Sequence, residues 1–206
     1  TANGTNSDAT GTDSSAVGEN AQATAAQSSA FGSDASATGV SSTALGDNSS
    51  ASGVASNATG YSSNASGPFS NASGPYSSAT GSFSTASGSS LASGYASNAI
   101  GAASVASGMY SSATGAQSLA SGSFSTAEGY NSTASGLNST AAGSNAEATA
   151  VDSSAFGTDS NATGSYSTAL GSNATASGFA SNATGVSSNA SGSYSSAAGA
   201  FANASG

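Results

Sequence analysis

The chain has 206 residues, no Lys, Arg, His or Cys, and nine carboxylates, which give it a net charge of −9. Nucleic-acid phosphates and anionic membranes are bound through cationic side chains, so we expect no nucleic-acid partner and no direct membrane insertion. Without His, Cys or Lys to act as a base or an activated nucleophile, we also predict no enzyme activity and no cofactor. The composition therefore favours a structural or binding protein.

One seven-residue unit repeats along the whole chain. All 28 glycines occupy the same slot of this unit, and Ala25 and Ala150 occupy the same slot in two further units. The residue two positions before each slot is Ala, and the residue four positions before it is Ser in most units. Small residues that alternate with free positions have the period of two that is typical of a β-strand. Each unit therefore predicts a short strand that is followed by Gly and a two-residue turn.

Alternate units differ at the residue before the slot, and this difference sets a period of fourteen. In every second unit that residue is Ser or Thr, as at Thr24 and Thr38, whereas the units between them carry all the large apolar residues of this column. We predict an all-β fold, a parallel β-roll or β-solenoid with coils of about 14 residues and two short strands in each coil. Each class of strand is expected to stack into its own parallel sheet.

The repeat is expected to form one body over residues 1–206, with about 15 coils and no separate second domain. The spacing breaks once, between Gly88 and Gly94, so one 13-residue coil is expected at 82–94. At a strand spacing of about 4.8 Å, such a body would be a rod roughly 70 Å long.

The predicted core contains only Ser, Ala and Gly, which bury few methyl groups. A buried CH₂ contributes about 0.8 kcal/mol, whereas ordering each residue costs about 1–2 kcal/mol. We therefore expect an outer face to dock on another copy of the chain. The candidate residues of this oligomer interface are Val17, Phe31, Leu45, Ile100, Phe156 and Leu170.

A row of aromatic residues is expected along one edge of the coils, in the turns. Its members are Phe69, Phe83, Tyr95, Tyr110, Phe124, Tyr166, Phe179 and Tyr194. We interpret them as residues of the oligomer interface, with a stacking surface for a surface glycan or a contact with a protein ligand as the alternatives.

Metal binding has one weak candidate in the sequence. Asp34 is expected to lie between Asn20 and Asn48 in a ladder of turns, where oxygen ligands would suit Ca²⁺. The spacing is not that of a calcium loop, so a solvated or amide-bonded turn is the favoured interpretation, and we predict no metal site.

Two stretches of the chain, YSTALGSNATASGFASNATG at 166–185 and VSSTALGDNSSASG at 40–53, are similar to a known repeat. They resemble the head repeats of YadA-like trimeric autotransporter adhesins, whose units read roughly NSxAxGxxSxAxG, and the resemblance covers essentially the whole chain. The Asn before the strand also matches, at Asn20, Asn48, Asn131, Asn138, Asn145 and Asn173. The resemblance implies a left-handed parallel β-roll, three chains side by side, and a place on a bacterial outer surface.

We therefore predict an extracellular adhesin or filament head on a bacterial cell surface, which is non-enzymatic and acts in adhesion or self-association. The alternative is a purely structural segment of an extracellular fibre, polymerised or bundled through its uncharged face, since residues 48–127 carry no charge. Lesser alternatives are an ice-binding surface on the Ser/Thr column and a phage or appendage fibre.

Overall fold

The computed structural model describes residues 1–206, which form 29 short β-strands and no helix. The strands pair in parallel with neighbours one coil away. The chain divides into two compact units, Thr1–Ala103 and Ser104–Gly206. The predicted fold class, an all-β parallel β-solenoid, is confirmed in both units, while a single body over the whole chain and its handedness stay predictions.

Two kinds of strand alternate along the chain, and we name the first kind A strands. They have three residues, except for the two-residue β1. In the first unit they are β1 (Ala2–Asn3), β2 (Ser15–Val17), β4 (Ser29–Phe31), β6 (Thr43–Leu45), β8 (Asn57–Thr59), β10 (Asn71–Ser73), β12 (Thr85–Ser87) and β14 (Asn98–Ile100). In the second unit they are β16 (Ser112–Thr114), β18 (Thr126–Glu128), β20 (Thr140–Ala142), β22 (Ser154–Phe156), β24 (Thr168–Leu170), β26 (Asn182–Thr184) and β28 (Ser196–Ala198).

The two-residue strands of the other class are the B strands. In the first unit they are β3 (Gln22–Ala23), β5 (Ser36–Ala37), β7 (Ser50–Ala51), β9 (Asn64–Ala65), β11 (Ser78–Ala79) and β13 (Leu91–Ala92). In the second unit they are β15 (Val105–Ala106), β17 (Leu119–Ala120), β19 (Thr133–Ala134), β21 (Glu147–Ala148), β23 (Asn161–Ala162), β25 (Thr175–Ala176), β27 (Asn189–Ala190) and β29 (Asn203–Ala204). Within each unit, A strands pair with A strands and B strands pair with B strands, so each unit has two parallel sheets.

The register places equivalent residues of neighbouring coils beside one another. Strand β4 pairs with β6 so that Ala30 lies opposite Ala44 and Phe31 opposite Leu45, an offset of 14 residues. At the shortened coil the offset is 13 residues, with Ser78 opposite Leu91. This coil is one residue shorter because the turn after β12 has three residues, 88–90, instead of four. The Ser89 N–H donates to the Pro75 carbonyl oxygen, and the Ser89 carbonyl oxygen accepts from the Ala103 N–H of the next coil.

Columns of Ala and Ser fill the interior. The Ala column of the strands is fully buried from Ala16 to Ala190, and the largest fully buried side chains are serines. Because no larger apolar side chain lies inside, the backbone hydrogen bonds between coils and the bonds of the buried serines must supply much of the stability. Many of these serines donate their Oγ to a turn carbonyl, as Ser56 does to the Gly53 oxygen at 2.8 Å.

The same four-residue turn, Gly-x-x-Ser in most coils, connects the strands at both edges. We call those that lead from an A strand to a B strand AB turns, and those that lead from a B strand to an A strand BA turns. The third residue of each turn has a positive φ of 46° to 61°. The glycine of each AB turn also has a positive φ, +137° at Gly32, whereas Ala25 and Ala150 stand in BA turns, where φ is not positive. A residue with a Cβ rarely adopts the positive φ of the AB glycines, which explains why both replacements of the slot glycine by Ala occur in BA turns.

Candidate functional site

The six predicted interface residues lie at the third position of A strands, with their side chains exposed. In the first unit Val17, Phe31 and Leu45 lie opposite one another in successive coils and form a row. In the second unit Phe156 and Leu170 form a shorter row. These side chains remain 37% to 47% exposed, although the Ala beside each of them is buried.

Small residues separate these rows on the outer face of the A strands. Thr59, Ser73 and Ser87 continue the column of Leu45, and Ile100 lies opposite Ser87. In the second unit Phe156 lies between Leu170 on one side and Ala142 on the other. The A face therefore carries apolar rows with small hydroxyl or methyl side chains beside them, and one carboxylate, Glu128, which lies between Thr114 and Ala142.

The predicted aromatic residues all lie at BA turns. Six of them occupy the left-handed third position of the turn: Phe69, Phe83, Tyr110, Phe124, Tyr166 and Tyr194. Tyr95 and Phe179 occupy the position before it. All eight side chains are exposed, from 44% for Phe179 to 76% for Tyr194.

Neighbouring rings of this row contact one another. Phe69 and Phe83 stack with ring centroids 5.0 Å apart and planes within 6°, and Tyr110 and Phe124 stack with centroids 5.3 Å apart. Phe179 meets both Tyr166 and Tyr194 edge to face, with centroids 5.5 Å apart in each pair. A stacked ring has one face covered by its neighbour, so these stacked pairs offer fewer free ring faces than the sequence row suggests.

Sequence reasoning missed several apolar residues of the same edge. They occupy the second position of BA turns: Val40, Val54, Met109, Leu137 and Val151, all exposed. The aromatic pattern alone does not indicate them, because the apolar residue changes position within the turn from coil to coil. A search of both turn positions for any large apolar residue would have found them. Three B-strand residues, Leu91, Val105 and Leu119, were missed in the same way.

Polar ladders lie mostly in the AB turns, although Asn138 Nδ2 donates to Asp152 Oδ1 at the BA edge and the AB edge carries the ring pair of Tyr61 and Tyr76. Asn20 Nδ2 donates to Asp34 Oδ1 at 3.1 Å, and Asn145 Nδ2 donates to Asp159 Oδ1 at 3.0 Å. Asn48, in the next AB turn after Asp34, donates to Ser62 Oγ. The predicted succession of Asn20, Asp34 and Asn48 is present, and Asp34 has an amide partner there. No three His, Cys, Asp or Glu side chains come together as a metal-binding group.

No pocket opens in the surface of the protein. The chain forms no helix that is long and apolar enough to cross a membrane.

Parallel coils with small residues inside and apolar rows outside define a repeat protein of the β-solenoid class. A family model that holds two copies of the YadA head domain repeat matches most of the chain. The matched segments are 9–35, 37–63, 58–90, 92–118, 120–146, 134–160 and 148–174. The chain therefore belongs to the YadA head domain family. No curated protein matches it significantly.

The YadA head domain family has known general properties. YadA-like heads form homotrimers in general, and their trimeric autotransporter adhesins are exposed on the cell surface. The head domain of the family is a non-enzymatic adhesin domain. The chain is thus an adhesin-type segment built from head repeats.

Proposed function

We propose that this chain is a head segment of a trimeric autotransporter adhesin, held outside a bacterial cell, where it acts in adhesion or self-association without catalysing a reaction. In this proposal its copies associate through the apolar rows of the A strands. Family membership supports the class, and the observation that carries the interface is the row of Val17, Phe31 and Leu45 on the A face.

Exposing this apolar row to water costs free energy. Phe31 is 38% exposed and Leu45 is 47% exposed, in a protein whose interior holds no side chain larger than Ser. Burial of apolar surface contributes about 25 cal/mol per Å², so association can supply stabilisation that the small core does not. Contiguous exposed apolar residues on a soluble protein are typical of an interaction surface.

The register supports association of copies side by side. Equivalent residues recur every 14 residues along a sheet, so copies that lie parallel can bring their rows together at the same height. Phe31 of each copy would then meet Phe31 of the others, and the small residues Thr59 and Ser73 would face one another in the coils beyond Leu45.

The experiment replaces Phe31, Leu45 and Phe156 by Asp in one variant, and measures mass by light scattering together with small-angle X-ray scattering. We expect the wild-type chain to give a discrete oligomer, a trimer in the family arrangement, and the variant to give a monomer. Carboxylates brought together at the interface would repel one another and lose their hydration.

Leu91→Asp is the matched control, because Leu91 is as exposed as Val17 but lies on a B strand. It should leave the oligomer intact. An unchanged mass for the triple variant would refute the interface. Open-ended fibres of the wild-type chain would favour the structural alternative, a fibre segment polymerised through its uncharged face.

A further inference from the structure

The BA edge of each unit carries a large apolar side chain in every one of several successive turns. In the first unit these are Val40, Val54, Phe69, Phe83 and Tyr95. In the second unit they are Met109, Tyr110, Phe124, Leu137, Val151, Tyr166, Phe179 and Tyr194. We call these two sets the BA rows. They lie in turns, whereas the proposed function uses the outer face of the A strands.

Local backbone chemistry does not account for the aromatic residues of these rows. Six of them sit at a positive φ, from 56° at Tyr110 to 60° at Tyr166 and Tyr194. This conformation is uncommon for bulky residues and is favoured by Asn and Gly. Asn fills the equivalent position elsewhere in the chain, for example at Asn131 and Asn138. Sparsely populated backbone conformations cluster at functional sites, and rings adopt this one mostly in BA turns, with Tyr76 and Phe201 as the two cases in AB turns.

Charge restricts the partner that can cover a BA row. The BA turns from Val40 to Ala96 in the first unit, and from Met109 to Asn138 in the second, contain no charged residue, and Asp152, in the turn of Val151, is the one carboxylate in the turns of the BA rows. The AB turns carry Glu19, Asp34, Asp47 and Asp159, and an apolar row placed on them would remove these charged carboxylates from water. A partner recognised through complementary charge would therefore bind elsewhere, and the BA rows call for an uncharged apolar surface.

A second copy of the chain offers such a surface with the same repeat distance. Coils follow one another at the spacing of paired strands, about 4.8 Å, so the side chains of one BA row can fit between those of another along their length. The side chains of the row in the second unit are 39% to 76% exposed, and together they offer roughly 700–800 Å² of apolar surface. This is near the roughly 800 Å² that each partner contributes to a stable protein interface.

We propose that the BA rows are a second self-association surface, by which the BA edge of one copy packs on the BA edge of another. Edge-to-edge packing would join the oligomers formed by the A strands into larger bundles, and it goes beyond the interface described under the proposed function. Stacked pairs such as Phe69 and Phe83, which cover each other's ring faces, suit packing against apolar side chains better than stacking on a sugar ring.

The test uses a variant that keeps the fold. Replacing Phe69, Phe83, Phe124 and Tyr166 by Asn installs the residue found at the same turn position at Asn131 and Asn138. The apolar surface is removed while the backbone conformation remains favourable. The wild-type chain should have at least twice the mass of this variant by light scattering, and circular dichroism should show the same strand content for both.

Tyr76→Asn is the matched control, since Tyr76 has the same backbone conformation and is 62% exposed but lies in an AB turn. It should retain the mass of the wild type. Equal masses for the wild type and the BA variant at the highest soluble concentration would overturn the proposal. If a glycan then bound the wild type and not the BA variant, the row would be a glycan-binding surface instead. If only the A-strand proposal fails, the twofold mass difference of the BA variant persists.

Discussion

The AB and BA edges use the same turn but present different surfaces. In both, the third residue of the turn has a positive φ, and its N–H donates to a carbonyl of the preceding coil, as Asp34 does to Glu19 and Phe69 does to Val54. The AB edge fills that position mostly with Asn, Asp and Ser, several of which bond along the column, whereas six of the BA residues there are aromatic. The same backbone conformation therefore supports an edge that is mostly polar, with the ring pair Tyr61 and Tyr76 as an exception, and an edge that is mostly apolar, with Asn138 and Asp152 as exceptions.

The two edges also differ in how the strand before the turn ends. After an A strand, the glycine N–H donates back to the preceding coil, as Gly46 does to Phe31. After a B strand, Thr38 and Gly39 both donate to the same carbonyl, that of Ala51 in the following coil. The A strand is one residue longer as a result, and its glycine takes the positive φ that the BA glycines lack.

The largest expected effect comes from this difference in glycine conformation. Gly46→Ala should destabilise the protein by several kcal/mol, on the order of the strain and clash costs of a misplaced Cβ. Gly46 has a φ of +137°, and a Cβ there would lie 2.6 Å from the carbonyl oxygen of Gly60 in the next coil. Thermal unfolding followed by circular dichroism measures the effect.

Gly39→Ala is the paired variant for this prediction. A Cβ at Gly39 would also meet a backbone oxygen, that of Gly53 at 2.0 Å, but φ is not positive there and Ala already stands in the BA slot at Ala25 and Ala150. We expect Gly39→Ala to lower the melting temperature by clearly less than Gly46→Ala. Equal losses would show that contact with the next coil, rather than φ, decides which slots accept Ala.

Most of the fold could be predicted from the sequence because the repeat is strict. The Ser and Ala columns predicted the buried positions, and the difference between alternate units, as at Thr38 and Leu45, predicted two parallel sheets. The positive φ of the AB glycines could not be predicted, since the same letter stands in both turn classes. The BA rows were only partly predicted, because Val40 and Leu137 occupy a different turn position from Phe69 and belong to no single column.

A smaller effect on stability is expected from replacing the serines at the last position of the two kinds of turn. Seven buried serine hydroxyls have no hydrogen-bond partner, and all occupy the last position of BA turns: Ser14, Ser42, Ser70, Ser97, Ser167, Ser181 and Ser195. Other BA serines, such as Ser56, donate to a carbonyl of their own turn, and in an AB turn Ser49 Oγ donates to the Gly46 oxygen at 2.8 Å. Ser49→Ala should cost about 1 kcal/mol, whereas Ser42→Ala should be neutral or stabilising because it removes an unpaired buried hydroxyl.

Chemical denaturation of Ser42→Ala and Ser49→Ala checks this prediction. Both serines are buried and both are followed by a residue of the strand, so solvent exposure does not separate the two variants. A loss at Ser42 as large as that at Ser49 would mean that the Ser42 hydroxyl makes a stabilising hydrogen bond.

The smallest expected effect tests whether the backbone is truly the same at both edges. Ala55 in a BA turn and Ala103 in an AB turn have φ values of 51° and 57°, and neither side chain is aromatic. Asn tolerates this conformation better than Ala, so Ala55→Asn and Ala103→Asn should each raise the free energy of unfolding by up to about 1 kcal/mol. Equal gains in thermal unfolding would show that the edges differ in their side chains and not in the conformation of the third turn residue. A gain at Ala103 alone would mean that the apolar neighbours of the BA row disfavour a polar residue there, and that the row contributes to the stability of the chain as well as to its surface.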